Sequence, residues 1–201
     1  MAAHHLLRPR APTIFDQTRN LSDLVEAIIS LLNTLNPQNP RPQCFVSCPL
    51  NQFSPYLSPG LVNEVINRQT NPKRALFFFN WASNPSPNPQ NYSHSRSCYA
   101  AITDLLLSRS LFSVAASILE KSGNFSDFFV SRFVKASGDR GNLKGAVFWF
   151  HRAKSIGDGN CLYSYNALLG VLVRANKMSL ARSIFNQMLN DGIVKPDVSA
   201  Y

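Results

Sequence analysis

Tyr165, Leu168, Leu169, Leu172 and Val173 recur at i, i+3, i+4, i+7 and i+8, the apolar stripe of an amphipathic helix. A turn follows at Ala175–Lys177, then a second stripe of Ala181, Ile184, Phe185 and Met188. Gly192 stands where a helix end favours a residue tolerant of left-handed geometry, and Pro196 blocks continuation. Shifted back by 35 residues, the pattern returns without a gap. Tyr165, Leu168, Leu169 and Asn176 fall on Val130, Phe133, Val134 and Gly141, and Ala181, Phe185, Met188 and Gly192 fall on Ala146, Phe150, Ala153 and Gly157. A looser copy precedes it, with Tyr99, Ile102 and Leu106 followed by Ala115, Ile118 and Leu119. A fourth pair is traced by Leu61, Val62, Val65 and Ile66, then Ala75, Phe78, Phe79 and Ala82, entered through Pro59 and Pro72 near helix starts.

Repetition at this period predicts a solenoid of antiparallel helix pairs. A helix of about 12 residues is marginal alone in water, and each pair has an apolar face that its own partner cannot cover. A small residue early in each second helix (Ala75, Ala115, Ala146, Ala181) allows close approach, and a large one a turn later (Phe79, Leu119, Phe150, Phe185) fills the gap to the next pair. Burying such a side chain is worth roughly 1.5–3 kcal/mol, so neighbouring pairs support one another. Phe77, Phe78, Phe79, Trp81, Phe148, Trp149 and Phe150 lie at packing spacing and are expected mostly in the core, not as platforms for bases.

The pattern divides the chain. Residues 1–20 carry Arg8, Arg10 and Arg19 against the single acid Asp16, the profile of an organelle-import presequence, with a disordered basic terminus as the alternative. Leu21 to Leu35 fits one amphipathic helix. Pro37, Pro40, Pro42, Pro49 and Pro55 make 36–58 a linker in which no helix propagates. The remainder reads as a lead-in pair (59–83), a connecting loop (84–95), repeats at 96–126, 127–161 and 162–197, and the start of a further repeat at 198–201. That last segment suggests a piece of a longer array. The fold class is therefore all-α, a helical solenoid preceded by a disordered N-terminal region.

Charge adds a partner class. Lys and Arg outnumber Asp and Glu by 20 to 11, and residues 61–201 hold sixteen basic against eight acidic residues. The excess lies in the repeats rather than the leader and favours an anionic partner. Cys44, Cys48, Cys98 and Cys161 lack the spacing of a zinc site or a disulfide framework, so no metal or cofactor is expected. No apolar run reaches the ~20 residues that span a bilayer. Gly-rich phosphate loops, nucleophile elbows and helical His pairs are missing, which argues against an enzyme.

The segment Leu162-Tyr163-Ser164-Tyr165-Asn166-Ala167-Leu168-Leu169, followed by Ala181, Phe185, Met188, Gly192, Pro196 and Asp197, resembles a pentatricopeptide repeat of the plain, non-editing class found in plant organelles. The resemblance spans residues 59–201. It implies a right-handed superhelix whose first helices line the inner surface, where single-stranded organellar RNA is read at about one base per repeat. The base is read by the residue after the helix-a Tyr together with the last residue of the repeat. The implied pairs are Asn166 with Asp197, a combination that favours uracil, Ser131 with Cys161, and Ala100 with Ser126. Tyr163 and Ser199 would flank the base. Lys135, Arg140, Lys144, Arg174 and Lys177 are candidate phosphate contacts. Other RNA-processing proteins are further implied partners, and the implied location is the mitochondrion, with the chloroplast as alternative. Three repeats read about three bases, so weak and poorly selective RNA binding is expected. The rival reading is a tetratricopeptide-like scaffold that binds proteins.

Overall fold

A computed structural model describes residues 21–35, 48–83, 91–155 and 161–190. The expected presequence, most of the linker and of the 84–95 loop, the final segment, Asp197 and Ser199 lie outside those residues. The described chain forms nine α-helices and one 3₁₀ helix: α1 (Leu21–Thr34), the 3₁₀ helix (Pro49–Tyr56), α2 (Pro59–Arg68), α3 (Pro72–Ala82), α4 (Arg96–Ser108), α5 (Phe112–Lys121), α6 (Asp127–Asp139), α7 (Leu143–Ser155), α8 (Leu162–Arg174) and α9 (Met178–Asn190). No strand occurs among the described residues.

Helix starts follow ordinary capping chemistry. The Ser58, Asn71 and Ser95 side chains accept backbone N–H groups from Leu61, Lys73 and Cys98, with Pro59 and Pro72 in the first turns of α2 and α3. The ends of α4, α6 and α8 share one stop. Ser110, Gly141 and Asn176 all adopt left-handed backbone, at φ 62°, 71° and 53°. The residues after them, Leu111, Asn142 and Lys177, donate their N–H groups to the carbonyls of Leu106, Ser137 and Leu172 at 2.9, 3.0 and 2.8 Å. Orphan carbonyls are thereby satisfied while the chain reverses into the second helix.

The helix pairs α2–α3, α4–α5, α6–α7 and α8–α9 stack as a solenoid. First helices pack directly on their successors, α2 on α4, α4 on α6 and α6 on α8, whereas second helices make no comparable backbone approach to one another. Long side chains span the second-helix layer instead: Arg152 of α7 pairs with Glu120 of α5, and Trp149 stacks over Phe112 at 6.4 Å. In a curved stack the more closely packed layer lies at the smaller radius, and the first-helix layer is called the inner face in that sense. Between pairs, an aromatic of the second helix meets a Tyr of the next first helix edge to face. Phe79 meets Tyr99 at 5.3 Å, and Phe150 meets Tyr165 at 4.9 Å. The small residues Ala75, Ala115, Ala146 and Ala181 are all buried.

Three expectations change on contact with the structure. The stretch 36–58 is more than a linker: its described part is a 3₁₀ helix that buries Leu50 and Phe53, and the Trp81 indole donates to Asn51 Oδ1 at 2.9 Å. Prolines stop an α-helix from propagating, but Pro49 sits in the first turn of this short 3₁₀ helix, Pro55 lies within it, and neither prevents burial of its neighbours. Together with α1, which buries Leu24, Val25, Ile28 and Leu32, this element covers the open face of the lead-in pair. Arg74 of α3 fastens the end of α1 by donating to the Asn33 side chain and carbonyl at 2.8 and 3.0 Å. In α8 the buried position is Val171, and Val173 is exposed, because α6 presses on the Val171 side of the helix. Among the expected core aromatics, Phe148 is 58% exposed on the outer layer.

Candidate nucleic-acid interface

The inner face is built from equivalent positions of packed helices. Ala100, Ser131 and Asn166 are each the fifth residue of their first helix, α4, α6 and α8, and each is half-buried. Ser126 and Cys161 stand immediately before α6 and α8, at their N-caps, and are half-buried too. Repetition thus places the Ala100, Ser131 and Asn166 backbones in register along one row. The Ser131 hydroxyl donates to the Phe128 carbonyl at 2.7 Å, which leaves its oxygen able to accept. Asp197 and Ser199 lie outside the described residues.

Tyr163 is 54% exposed at the start of α8, and its ring meets Phe128 of α6 edge to face at 5.7 Å. Its position is fixed by a residue of the preceding pair. Asp127, buried at the start of α6, accepts the Tyr163 N–H at 2.8 Å through Oδ2 and the Ser164 N–H at 3.2 Å through Oδ1. A carboxylate at the positive end of α8 is favoured by the helix dipole and satisfies two orphan donors at once. An acid in the first turn ordinarily favours its own helix; here the carboxylate also caps a helix 36 residues away, across a helix-pair boundary.

Phe128, Arg96 and Arg132 were not singled out by sequence pattern, because Phe128-Phe129-Val130 reads as one apolar run. The 35-residue offset itself carries the signal, since it sets Phe128 opposite Tyr163. The Arg96 guanidinium lies over the Phe128 ring at 4.0 Å and that of Arg132 at 4.8 Å. Such cation–π contacts are commonest with arginine.

The basic residues separate into two groups. Some are engaged in a ladder that joins the C-terminal ends of successive first helices. Arg109 donates to the Thr70 carbonyl at 2.9 Å, Arg140 to the Leu107 carbonyl and to Ser110 Oγ, and Arg174 to Asp139 Oδ1 at 3.0 Å. Guanidinium groups complement the negative end of a helix. Arg140 and Arg174 therefore serve first as struts, with part of their charge already compensated. Lys135, Lys144 and Lys177 are exposed. Lys135 borders a cleft of about 610 Å³ between α4 and α6, also lined by Asp104, Arg132, Asp139 and Arg140.

Away from the inner face, His94 forms a junction between α3 and α4. Its ring stacks on Phe79 at 3.8 Å; its Nε2 donates to the Phe79 carbonyl at 2.9 Å, and its Nδ1 accepts from the Tyr92 hydroxyl at 3.0 Å. Burial holds the His94 pKa below the ordinary 6.5, partly offset by the carbonyl contact, and pushes the Tyr92 hydroxyl upward.

The profile of the PPR repeat family matches residues 163–193, which take in all of α9 and all but the first residue of α8. That segment is a pentatricopeptide repeat by this match, and the chain is similar to pentatricopeptide-repeat proteins. Among its relatives is a pentatricopeptide repeat-containing protein of Arabidopsis thaliana, 26% identical over 138 residues, which are 65% of this chain and 26% of the relative. A second, described as chloroplastic and from the same plant, is 24% identical over 124 residues, 58% of this chain and 17% of that protein. The chain thus spans about a quarter or less of the length of these relatives. The profile match falls on the pair whose sequence pattern is most regular. Nothing in the described part of the chain is a helix long and apolar enough to cross a membrane.

Proposed function

We propose that this chain binds single-stranded RNA along the row of first helices, inside an organelle, and acts by binding rather than by catalysis. The observation that carries the reading is the register of the inner face. Side chains of differing hydrogen-bonding character, Ala100, Ser131 and Asn166, occupy the same step of successive packed helices, beside a rim that carries Arg96, Phe128 and Tyr163. Stacked planar groups hold bases irrespective of identity, while an amide in a fixed place can discriminate among base edges. Under this reading Asn166 acts with Asp197, Ser131 with Cys161 and Ala100 with Ser126. Asn166 with Asp197 favours uracil, and Ser199 completes the flank opposite Tyr163. The bound strand would be an organellar transcript whose splicing, stability, processing or translation the protein supports, alongside other RNA-processing proteins.

The test is a salt titration of a labelled oligouridine strand read by fluorescence anisotropy. For single strands log K falls by about 0.7 per log unit of salt for each phosphate neutralised, so a few phosphate contacts give a slope near −2. Asn166→Ala should reduce the preference for uridine over cytidine while leaving that slope unchanged. Binding that is absent at all salt concentrations, or a peptide partner held on the same face, would replace this reading with a tetratricopeptide-like scaffold. The arginine weighting of residues 1–20 favours mitochondrial delivery, and one relative is described as chloroplastic; a fluorescent fusion of the leader decides between the two.

A further inference from the structure

Along the N-terminal rim of the first-helix layer, planar groups stand next to one another. Arg96 is the first residue of α4, Phe128 the second of α6 and Tyr163 the second of α8. Their contacts differ in kind. Tyr163 meets Phe128 at an interplanar angle of 88°, so no base fits between those two rings until one of them turns. Arg96, by contrast, lies over the face of Phe128 with its guanidinium carbon 4.0 Å from the ring centroid. Arg132 also approaches that ring, but its ion pair with Asp104 of α4 ties it down. Arg96 is exposed, and among the described residues no ion pair holds it. It can lift from the ring by rotating its own side chain, without moving a helix.

A stacked base adds about 3.4 Å to a column. Separating the guanidinium from the ring by that amount creates a slot with one cationic and one aromatic wall. Both walls are planar, and both accept any base face. We propose that Arg96 is a base-stacking residue, its guanidinium and the Phe128 ring forming the two walls of a slot for one nucleobase of the bound strand. Arg96 then extends the stacking row one step beyond the aromatic positions, on the side of the lead-in pair. The proposal rests on the RNA-binding reading and adds to it a particular wall, made by a side chain whose usual duty would be a phosphate contact.

Lysine separates the two duties, because it keeps the charge and lacks the plane. The full chain would be compared with Arg96→Lys and Arg96→Ala for binding to an oligouridine strand and to the same strand carrying 2-aminopurine. Loss of one stacked base costs about ten-fold in affinity. Arg96→Lys should therefore weaken binding about as much as Arg96→Ala, with the salt slope of the Lys variant equal to wild type and the quenching of 2-aminopurine reduced in both. Exposure of Arg96 keeps the fold intact in both variants, which far-ultraviolet circular dichroism checks. If Arg96→Lys binds and quenches like wild type while Arg96→Ala weakens with a shallower salt slope, the residue is a phosphate contact and the proposal is overturned. Unchanged binding in both variants overturns it as well, leaving RNA binding in place. Absence of binding by the wild-type chain removes the proposal together with the reading it rests on.

Discussion

Gly138 sits near the end of α6, packed tightly against Val171 of α8. A Cβ built on it would lie 2.2 and 2.6 Å from the two γ-methyls of Val171 and 2.9 Å from its Cβ. Rotating Val171 exchanges one methyl for the other and cannot move its Cβ, so Gly138→Ala must push the two helices apart or distort them. Two effects then oppose each other. Replacing a helical Gly by Ala gains up to about 1 kcal/mol of helix propensity, while overpacking a tight contact costs about 1–3 kcal/mol. With branched carbon on the far side of the contact and no flexible end to give way, overpacking wins, and a net loss of about 1–2 kcal/mol is expected. Gly170 in α8 supplies the opposite case, since its nearest neighbour is the mobile guanidinium of Arg174 at 3.9 Å. Gly170→Ala should raise stability by up to about 1 kcal/mol. Urea unfolding followed at 222 nm should place the midpoint of Gly138→Ala below wild type and that of Gly170→Ala above it. In a Val171→Ala background the loss from Gly138→Ala should shrink by about 1 kcal/mol, a coupling expected of residues in contact. A Gly138→Ala midpoint equal to or above wild type would refute the claim that first-helix spacing is set by this contact. The same spacing separates Ser131 from Asn166, so Gly138→Ala should also weaken the proposed RNA binding while Gly170→Ala spares it.

Phe150, fully buried and edge to face with Tyr165, should cost about 3–5 kcal/mol as Phe150→Ala in the same urea assay, because it joins one pair to the next. Asp127→Ala leaves the Tyr163 and Ser164 N–H groups without their carboxylate. A loss of about 1–3 kcal/mol is expected, with faster hydrogen exchange at those two amides as the specific sign. Ser110 holds a left-handed backbone that a glycine adopts freely, so Ser110→Gly should stabilise by about 1 kcal/mol, visible as a raised thermal midpoint. His94 has a folded pKa below its unfolded value. Its neutral form is favoured by folding, so this contribution is complete above the ordinary 6.5 and is lost as the pH falls through that value toward the folded pKa. His94→Gln should flatten that part of the stability–pH curve, and an unchanged slope would show that His94 is not its source.

Periodicity alone determined that the chain is a stack of helix pairs, because the 35-residue recurrence of apolar positions has no other economical packing. It also marked the alanines that let second helices pack closely on first helices and the aromatics that seal the seam, since size and spacing are local properties. The resemblance of residues 162–197 points to Tyr163 and Asn166 from sequence alone. Tertiary structure decided what depends on approach between helices distant in sequence. The prolines of the supposed linker gave no sign that Leu50 and Phe53 would be buried against the lead-in pair. Asp127 reads as a cap for its own helix, yet it caps the next first helix, because stacking brings the α8 N-terminus over it. Arg140 and Arg174 read as charge available to phosphates, and packing engages them at the ends of neighbouring helices. Arg96 and Phe128 lie 32 residues apart with nothing in composition to join them. Sequence spacing fixes which side of a helix a residue occupies, but only the crossing of helices fixes what it faces.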